Sequence, residues 1–380
     1  MAKSSSTQAP LPQIKPRDLH RFHHALQQWY GEHGRHHLPW RTTRDPYPIW
    51  LSEVMLQQTQ VATVLARFYH PFLEKFPTVR ALADAPREAV MKAWEGLGYY
   101  RRAGFLHDAA KEIVRDGWWV VRGENASPST PHHALLTRLQ SLPGIGKNTA
   151  HAIAAFAYGQ PVAILEANVK RIVARVFAWE NPTEPQLWAG AEALLNRAEP
   201  FDYNQAMMDL GSMVCTPAQP ACATCPAAAI CRGKTAPERY PARKAKKATP
   251  TRQQVILVLE DAAGRLHLEA RSAALLGGLY GFPQVPATTD LRYAMREMHI
   301  APHDWQALGD VVHVYSHFRL EGRVQHGRLR RRMNSPGWFT REEISALPLS
   351  GVDHKVLALV DARHTAPKNA GKRAVSRPRG

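Results

Sequence analysis

All four cysteines of this chain lie between residues 215 and 231, in the stretch CTPAQPACATCPAAAIC. A disulfide framework would spread its cysteines along the chain and would need an oxidising compartment. Four thiols crowded into one loop point instead to a metal centre, which dictates the fold of the chain around it. Zinc sites usually pair cysteines as two C-x2-C knuckles, and only Cys222 and Cys225 form such a pair. The spacing C-x6-C-x2-C-x5-C suits a larger object. It favours an iron–sulfur cluster over zinc, held by Cys215, Cys222, Cys225 and Cys231. The expected role is structural, with Arg232 and Lys234 carried toward phosphates.

The chain has 380 residues, enough for two domains of ordinary size. Hydrophobic residues make up 44%, sufficient for a packed core, and the formal net charge is +17. That excess selects a polyanion as partner, nucleic acid first. No apolar run reaches the roughly 18 residues of a membrane span, and MAKSSSTQAPLPQIKPRDL lacks the apolar core of a secretory signal. A soluble, cytoplasmic monomer follows as the expectation, with no membrane partner.

Five segments are expected. Residues 1–16 form a polar tail and 17–235 a helical domain that includes the cysteine loop. A basic linker spans 236–250, an α+β domain 251–362 and a basic tail 363–380. In VKRIVARVF the apolar residues Val169, Ile172, Val173, Val176 and Phe177 recur at helical spacing. Asn168 before them is a suitable N-cap, and AMMDLGSMVC reads as the last helix before the cysteines. In the second domain, QVILVLE and RLHLEA flank a turn signal and predict a hairpin. VVHVYSHFRL and GRLRRRM predict further strands, LRYAMREM and the region of EEISALP helices.

Two stretches carry chemistry. WLSEVMLQQTQV, residues 50–61, reads as one helix, yet it sets Glu53, Gln57, Gln58 and Gln60 among bulky apolar residues. On a helix Glu53, Gln57 and Gln60 would share a face, as groups meant to touch something polar in a cleft. In LQSLPGIGKNTAHAI, Pro143 and Gly144 end one helix and a second begins near Lys147 or Asn148. Amide groups at that start, with no side chain on Gly144 or Gly146, allow a DNA backbone to approach. The whole pattern reads as a helix-hairpin-helix.

Together WLSEVMLQQTQV, GLGYYRRA, LPGIGKNTA, NVKRIVAR, NQAMMDLGSMVC and the cysteine run resemble the MutY-type adenine DNA glycosylases, of the helix-hairpin-helix superfamily with an endonuclease III-like core. GGLYGFPQ and HVYSHF extend the resemblance more loosely into the second domain. It implies a mainly α fold, a [4Fe–4S] cluster, and a smaller Nudix-like C-terminal domain that checks for 8-oxoguanine. The implied activity is removal of adenine opposite 8-oxoguanine or guanine in double-stranded DNA. By the same resemblance Glu53 is the catalytic acid. The second carboxylate is Glu166, with Asn168 beside it, where the family has Asp followed by Gly; here the text is ILEANVKR. Glu166 sits just ahead of a helix start, whose dipole should keep it ionised. Trp40, Arg41 and Gln205 are implied at the adenine pocket, and Gln57, Gln58 and Tyr99 against the base stack. Asn148 stands where bifunctional relatives place a nucleophilic lysine, which implies a monofunctional enzyme; Lys147 and Lys170 would lie near the DNA. Tyr315, Ser316 and His317 would read the oxidised base. LRYAMREMHI offers only Glu297 to a metal, so the second domain is read as a recognition module rather than a hydrolase. The departure at Glu166 leaves two alternatives: a related mismatch or oxidised-base glycosylase, or a mismatch-binding protein with impaired catalysis.

Overall fold

The computed structural model describes residues 13–117, 132–242, 248–271, 276–315 and 317–365. Most of both expected tails, part of the expected linker, and Ser316 lie outside them. The helices, in chain order, are α1 (Pro16–His33), α2 (Pro46–Met55), α3 (Val61–Arg67), α4 (Tyr69–Lys75), α5 (Val79–Asp84), α6 (Arg87–Ala93), α7 (Arg101–Asp116), α8 (His132–Ser141), α9 (Lys147–Tyr158), α10 (Ala167–Phe177), α11 (Glu184–Leu194) and α12 (Pro200–Met213). After the cysteine loop come strands β1 (Thr251–Glu260), β2 (Leu266–His267), β3 (Glu269–Ala270), β4 (Tyr280–Gly281) and β5 (Gln284–Pro286), then helix α13 (Leu291–Glu297). β6 (Asp304–Val314), β7 (Arg319–Arg328) and β8 (Trp338–Phe339) follow, and α14 (Arg341–Ala346) and α15 (Gly351–Thr365) close the chain.

The chain divides into two compact units. One comprises residues up to 84 together with 105–246; the other joins 85–104 to everything from 247 onward. The first unit is helical, as expected. Its core gathers the apolar faces of α1, α10, α11 and α12, including Phe22, Leu26, Leu187 and Leu210. The stripe of α10 is fully used: Val169, Ile172, Val173, Val176 and Phe177 are all buried. Burial of each such side chain stabilises by roughly 1.5–3 kcal/mol.

The second unit is built on a mixed sheet in the order β6-β7-β1-β2-β8, with β1 and β7 parallel. The run Val255–Leu259 is buried throughout because both faces of the sheet are covered. Ile256 and Val258 pack with Val352, Val356 and Val360 of α15. Val255, Leu257 and Leu259 pack with Ala294 and Met295 of α13. The expected strand GRLRRRM is corrected: β7 ends at Arg328 and residues 329–333 run irregularly. The sequence reading also lacks α15, whose four-residue apolar spacing is interrupted by Asp353, His354 and Lys355.

Residues 85–104 are tied into this second unit by polar contacts at the end of α6. Glu95 Oε1 accepts the amide of Leu349 at 2.9 Å and pairs with His354 Nε2 at 2.8 Å. Lys92 Nζ lies 2.6 Å from Glu95 and donates to the Leu347 carbonyl at 3.0 Å. Burial acts to raise the Glu95 pKa, but bonds from His354, Lys92 and the Leu349 amide outweigh it and hold the carboxyl at about 2.

Candidate active site

The helix expected across residues 50–61 is corrected. α2 ends at Met55, Gln58 takes a left-handed φ of 59°, and Gln60 caps α3. A left-handed residue cannot continue a right-handed helix, so Glu53, Gln57 and Gln60 share no helical face. Glu53 stays on α2, partly buried, while the amides fall on the turn after it. Gln57 Nε2 reaches Thr149 Oγ1 of α9 at 3.4 Å.

Glu53 is raised from 4.5 to about 8, first by burial and then by the carboxylate of Glu166; Arg41 acts the other way. The two acids therefore feel one another inside the first unit. Glu166, not Asn168, is the N-cap of α10. Asn168 lies within the first turn, and its Nδ2 meets Glu166 Oε1 at 3.4 Å. Glu166 is displaced in the direction opposite to expectation: burial raises it, against lowering by Asn168, Arg35, Arg171 and Arg41. Desolvation outweighs the helix dipole at this partly buried position. α12 passes close behind. A Cβ on Gly211 would sit 2.5 Å from the Asn168 Cβ, so glycine is required there for Asn168 to keep its place.

The positive charge near both acids is itself held. Arg41, buried after the short turn Pro39–Arg41, makes two bonds to Asp209 of α12, Nη1–Oδ2 at 2.7 Å and Nη2–Oδ1 at 2.9 Å. Arg35 adds its backbone amide at 2.9 Å and Nε at 2.7 Å. Burial would raise Asp209, but the two guanidinium groups lower it. Asp209 and Arg35 escape the sequence reading, although Asp209 is an acid set one helical turn beyond Gln205 in an apolar helix, the same signal that exposes Glu53. Gln205 is buried on α12, and Trp40 is buried edge-on to Tyr69 at 5.0 Å.

The extended run Val162–Leu165 leads into Glu166 and is buried without belonging to any sheet. Its backbone groups need partners, and side chains from three helices supply them. Asn148 Oδ1 accepts the Leu165 amide at 2.7 Å and Asn204 Oδ1 the Ile164 amide at 3.0 Å. Asn204 Nδ2 donates to the Val162 carbonyl at 3.0 Å. Glu192 accepts the Ala163 amide at 3.1 Å, and His151 Nδ1 lies 2.8 Å from the Ala163 carbonyl. His151, Glu192 and Asn204 are also absent from the sequence reading, because the pattern of one chain does not show which backbone lacks a partner.

α8 and α9 form the expected hairpin. Gly144 has a φ of 74°, and a Cβ there would strike Phe105; Gly146 caps α9 and faces open space. Lys147 Nζ stacks over Trp188 at 3.9 Å. Lys170 pairs with Glu184 at 2.8 Å. In the second unit Tyr99 is exposed with a φ of 49°. Tyr315 and His317 lie in the turn between β6 and β7, where the Tyr315 ring stacks on Phe318 at 4.7 Å.

The four cysteines line one cavity with Arg175 and Lys234, and none is in a disulfide. Burial pushes the Cys225 and Cys231 thiols up to about 11. Buried Arg175 donates to Cys215 Sγ at 3.2 Å and to the Thr216 carbonyl at 2.8 Å, fixing the loop from inside. This donor set fits a sulfur-ligated centre. Among the described residues no three metal-binding side chains converge as a site for a single ion. Lys234 and Arg232 are exposed, as expected, and donate to the Ala228 and Gln13 carbonyls, at 3.1 and 3.4 Å.

A model of the HhH-GPD superfamily base excision DNA repair proteins matches residues 51–197, and a NUDIX domain model matches 255–359. The structure of a thermostable thymine-DNA glycosylase superposes with a TM-score of 0.50 at 26% identity, over 58% of this chain and 97% of that one. The family match, on a helix-hairpin-helix fold, makes this a base-excision repair glycosylase. The adenine DNA glycosylase of Homo sapiens is 30% identical over 94% of this chain and 77% of its own length. That of Buchnera aphidicola subsp. Baizongia pistaciae is 29% identical, over 79% of this chain and 84% of its own. The chain belongs to the adenine DNA glycosylases, enzymes that hydrolyse N-glycosyl bonds.

Proposed function

We propose that the enzyme releases adenine mispaired with 8-oxoguanine or guanine in duplex DNA, and that it is monofunctional. One observation carries the catalytic reading: Glu53, raised to about 8, keeps its proton at neutral pH beside Glu166. Adenine leaves poorly as an anion, so the acid must protonate a ring nitrogen as the glycosidic bond breaks. Glu166 supplies negative charge to the cationic sugar, and Asn168 orients it. Arg41 draws both carboxyls toward the ionised form, against the burial that raises each of them. Trp40, Arg41 and Gln205 frame the base. Gln57, Gln58 and Tyr99 fill the space it leaves, since a base must exit the stack to react.

Support for monofunctionality comes from the amines. Position 148 is Asn, with its oxygen committed to the Leu165 amide. Lys147 is stacked on Trp188 and Lys170 is paired with Glu184. The cysteine cavity is the proposed place of a [4Fe–4S] cluster, which would hold the 215–231 loop in shape; absorbance near 400 nm tests it against zinc. Tyr315, Ser316 and His317 are proposed to read the oxidised base, Gly144, Gly146 and Lys147 to hold the backbone. The domain limits proposed are 17–235 for the glycosylase part and 251–362 for the recognition part. The deciding experiment is single-turnover base release from duplexes carrying A opposite 8-oxoguanine, A opposite G, and T opposite G. Fastest release from the first, without borohydride-trapped adduct, is expected. Release of thymine instead, or tight binding without release, overturns the reading.

A further inference from the structure

On the second unit, at the end of α13, opens a groove of about 420 Å³. Its floor is apolar, with Met295, Ile300 and Leu329 buried beneath it. Its rim carries Arg296, Arg330 and Arg331, and none of the residues lining it is acidic. Five other arginines of the same unit are paired instead. Arg265, Arg271, Arg319, Arg328 and Arg341 each face a carboxylate. Arg296, Arg330 and Arg331 are exposed and have no carboxylate partner among the described residues. Uncompensated guanidinium groups gathered on one rim repel each other, and an arrangement of that kind is favourable only toward an anion.

The rim is also built rather than loose. The amide of Leu329 donates to the Glu260 carbonyl at 2.8 Å. Ala262 donates to the Arg331 carbonyl at 3.3 Å, and the Met333 amide to Asp261 Oδ2 at 3.2 Å. Arg265 binds both Asp261 and the Met333 carbonyl. Across the groove His299 adopts a φ of 54°, which turns the chain at the end of α13 and brings Ile300 under the rim. Forked donors on a fixed backbone, above an apolar floor, match phosphate groups that carry a sugar alongside.

We propose that this groove is a second anchorage for DNA, in which Arg296, Arg330 and Arg331 neutralise phosphates of a strand away from the damaged base. Its lining includes neither of the proposed catalytic acids and no residue of the turn at Tyr315. It acts on undamaged DNA as on damaged DNA, because phosphate contacts carry no sequence or lesion information.

The test is binding of the full-length protein to a labelled undamaged duplex across a range of salt concentrations. Each phosphate contact contributes about 0.9 to the slope of log K against log salt. Replacing Arg330 and Arg331 together by Ala should reduce the slope by about 1–2 and weaken binding about tenfold near 0.1 M salt. The Arg330→Lys/Arg331→Lys form should keep most of the slope, which excludes a loss through misfolding. Arg319→Ala removes a guanidinium already bound to Glu321 at 3.0 Å and should leave the slope in place. A slope and affinity for the double Ala form equal to the parent's overturn the proposal. Titration with ADP is the control: ADP binding by the parent that the double Ala form loses while its duplex binding stays intact also overturns the proposal, since the groove would then be a pocket for free nucleotides.

Discussion

Asp209 grips Arg41 with both carboxylate oxygens, at 2.7 and 2.9 Å, while fully buried behind the catalytic acids. Breaking one side of such a pair leaves a charge without compensation, at a cost of about 3–5 kcal/mol. Asp209→Asn should therefore lower the unfolding midpoint in urea. It should also move the active-site titration. With Arg41 and Arg35 no longer neutralised, Glu53 loses its proton more readily, and the alkaline fall in single-turnover rate should shift to lower pH. An unchanged profile in a folded variant sinks this account.

Glu53 must be protonated to act, so adenine release should be level below about pH 8 and fall tenfold per unit above it. At the acid end, release should fall as Glu166, itself raised by burial, takes up a proton. Glu53→Gln should cost on the order of 10²–10⁴ in rate.

The same acid should be a burden on stability. A carboxyl whose folded pKa is raised adds nothing below about 4.5, where it is neutral folded and unfolded alike. Between 4.5 and about 8 the unfolded chain ionises and the folded one does not, so stability drains away as pH rises. Glu53→Gln should thus melt higher than the parent at pH 8 and equally at pH 4. Equal melting at both values removes the argument.

Asn204 binds Ile164 and Val162 of the run before Glu166, and its Nδ2 also donates to the Pro200 carbonyl of its own helix. Asn204→Ala leaves buried backbone groups unpaired, at about 1–3 kcal/mol each. The run should loosen and Glu166 with it. A misplacement of about 1 Å at a reacting centre costs on the order of 100-fold. Release should slow while affinity for the mismatch duplex holds; a slower rate traced wholly to weaker binding contradicts this.

His354 is raised by its bond to Glu95. Its contribution is complete below the unfolded value near 6.5 and is lost as pH rises through the folded one. Glu95, depressed to about 2, contributes above about 4.5 and loses its effect only toward pH 2. Amide exchange in residues 87–100 should accelerate, beyond the intrinsic base catalysis, as pH rises above 6.5. His354→Gln should abolish that extra acceleration. His354 is half exposed, so the effect should be small.

The fold was readable where one residue type answers one local demand. The α10 stripe and the five-residue apolar run of β1 announce a helix and a doubly covered strand, and both exist. Gly144 announces the hairpin. Gln58 does not announce its turn, because nothing in a glutamine marks a left-handed backbone. Nor does Asn148 reveal its bond: an amide that satisfies a buried backbone looks the same in sequence as one that is solvated. Glu53 was visible as an acid among apolar neighbours, but its shift depends first on burial by the folded chain and then on Glu166, 113 positions along the chain by the difference of their numbers. The cysteine loop was legible as four thiols gathered in one place; Arg175 beside them was not, since helical spacing marks it only as lying off the apolar stripe.

The grouping of residues 85–104 with the chain beyond 247 bears on anyone who builds hybrids. A family match that runs unbroken from 51 to 197 invites a single crossover in the linker. Such a chimera would take the Leu349 amide and His354 from one parent and Glu95 from the other. The transferable module is discontinuous, and a faithful graft needs two exchanged segments rather than one.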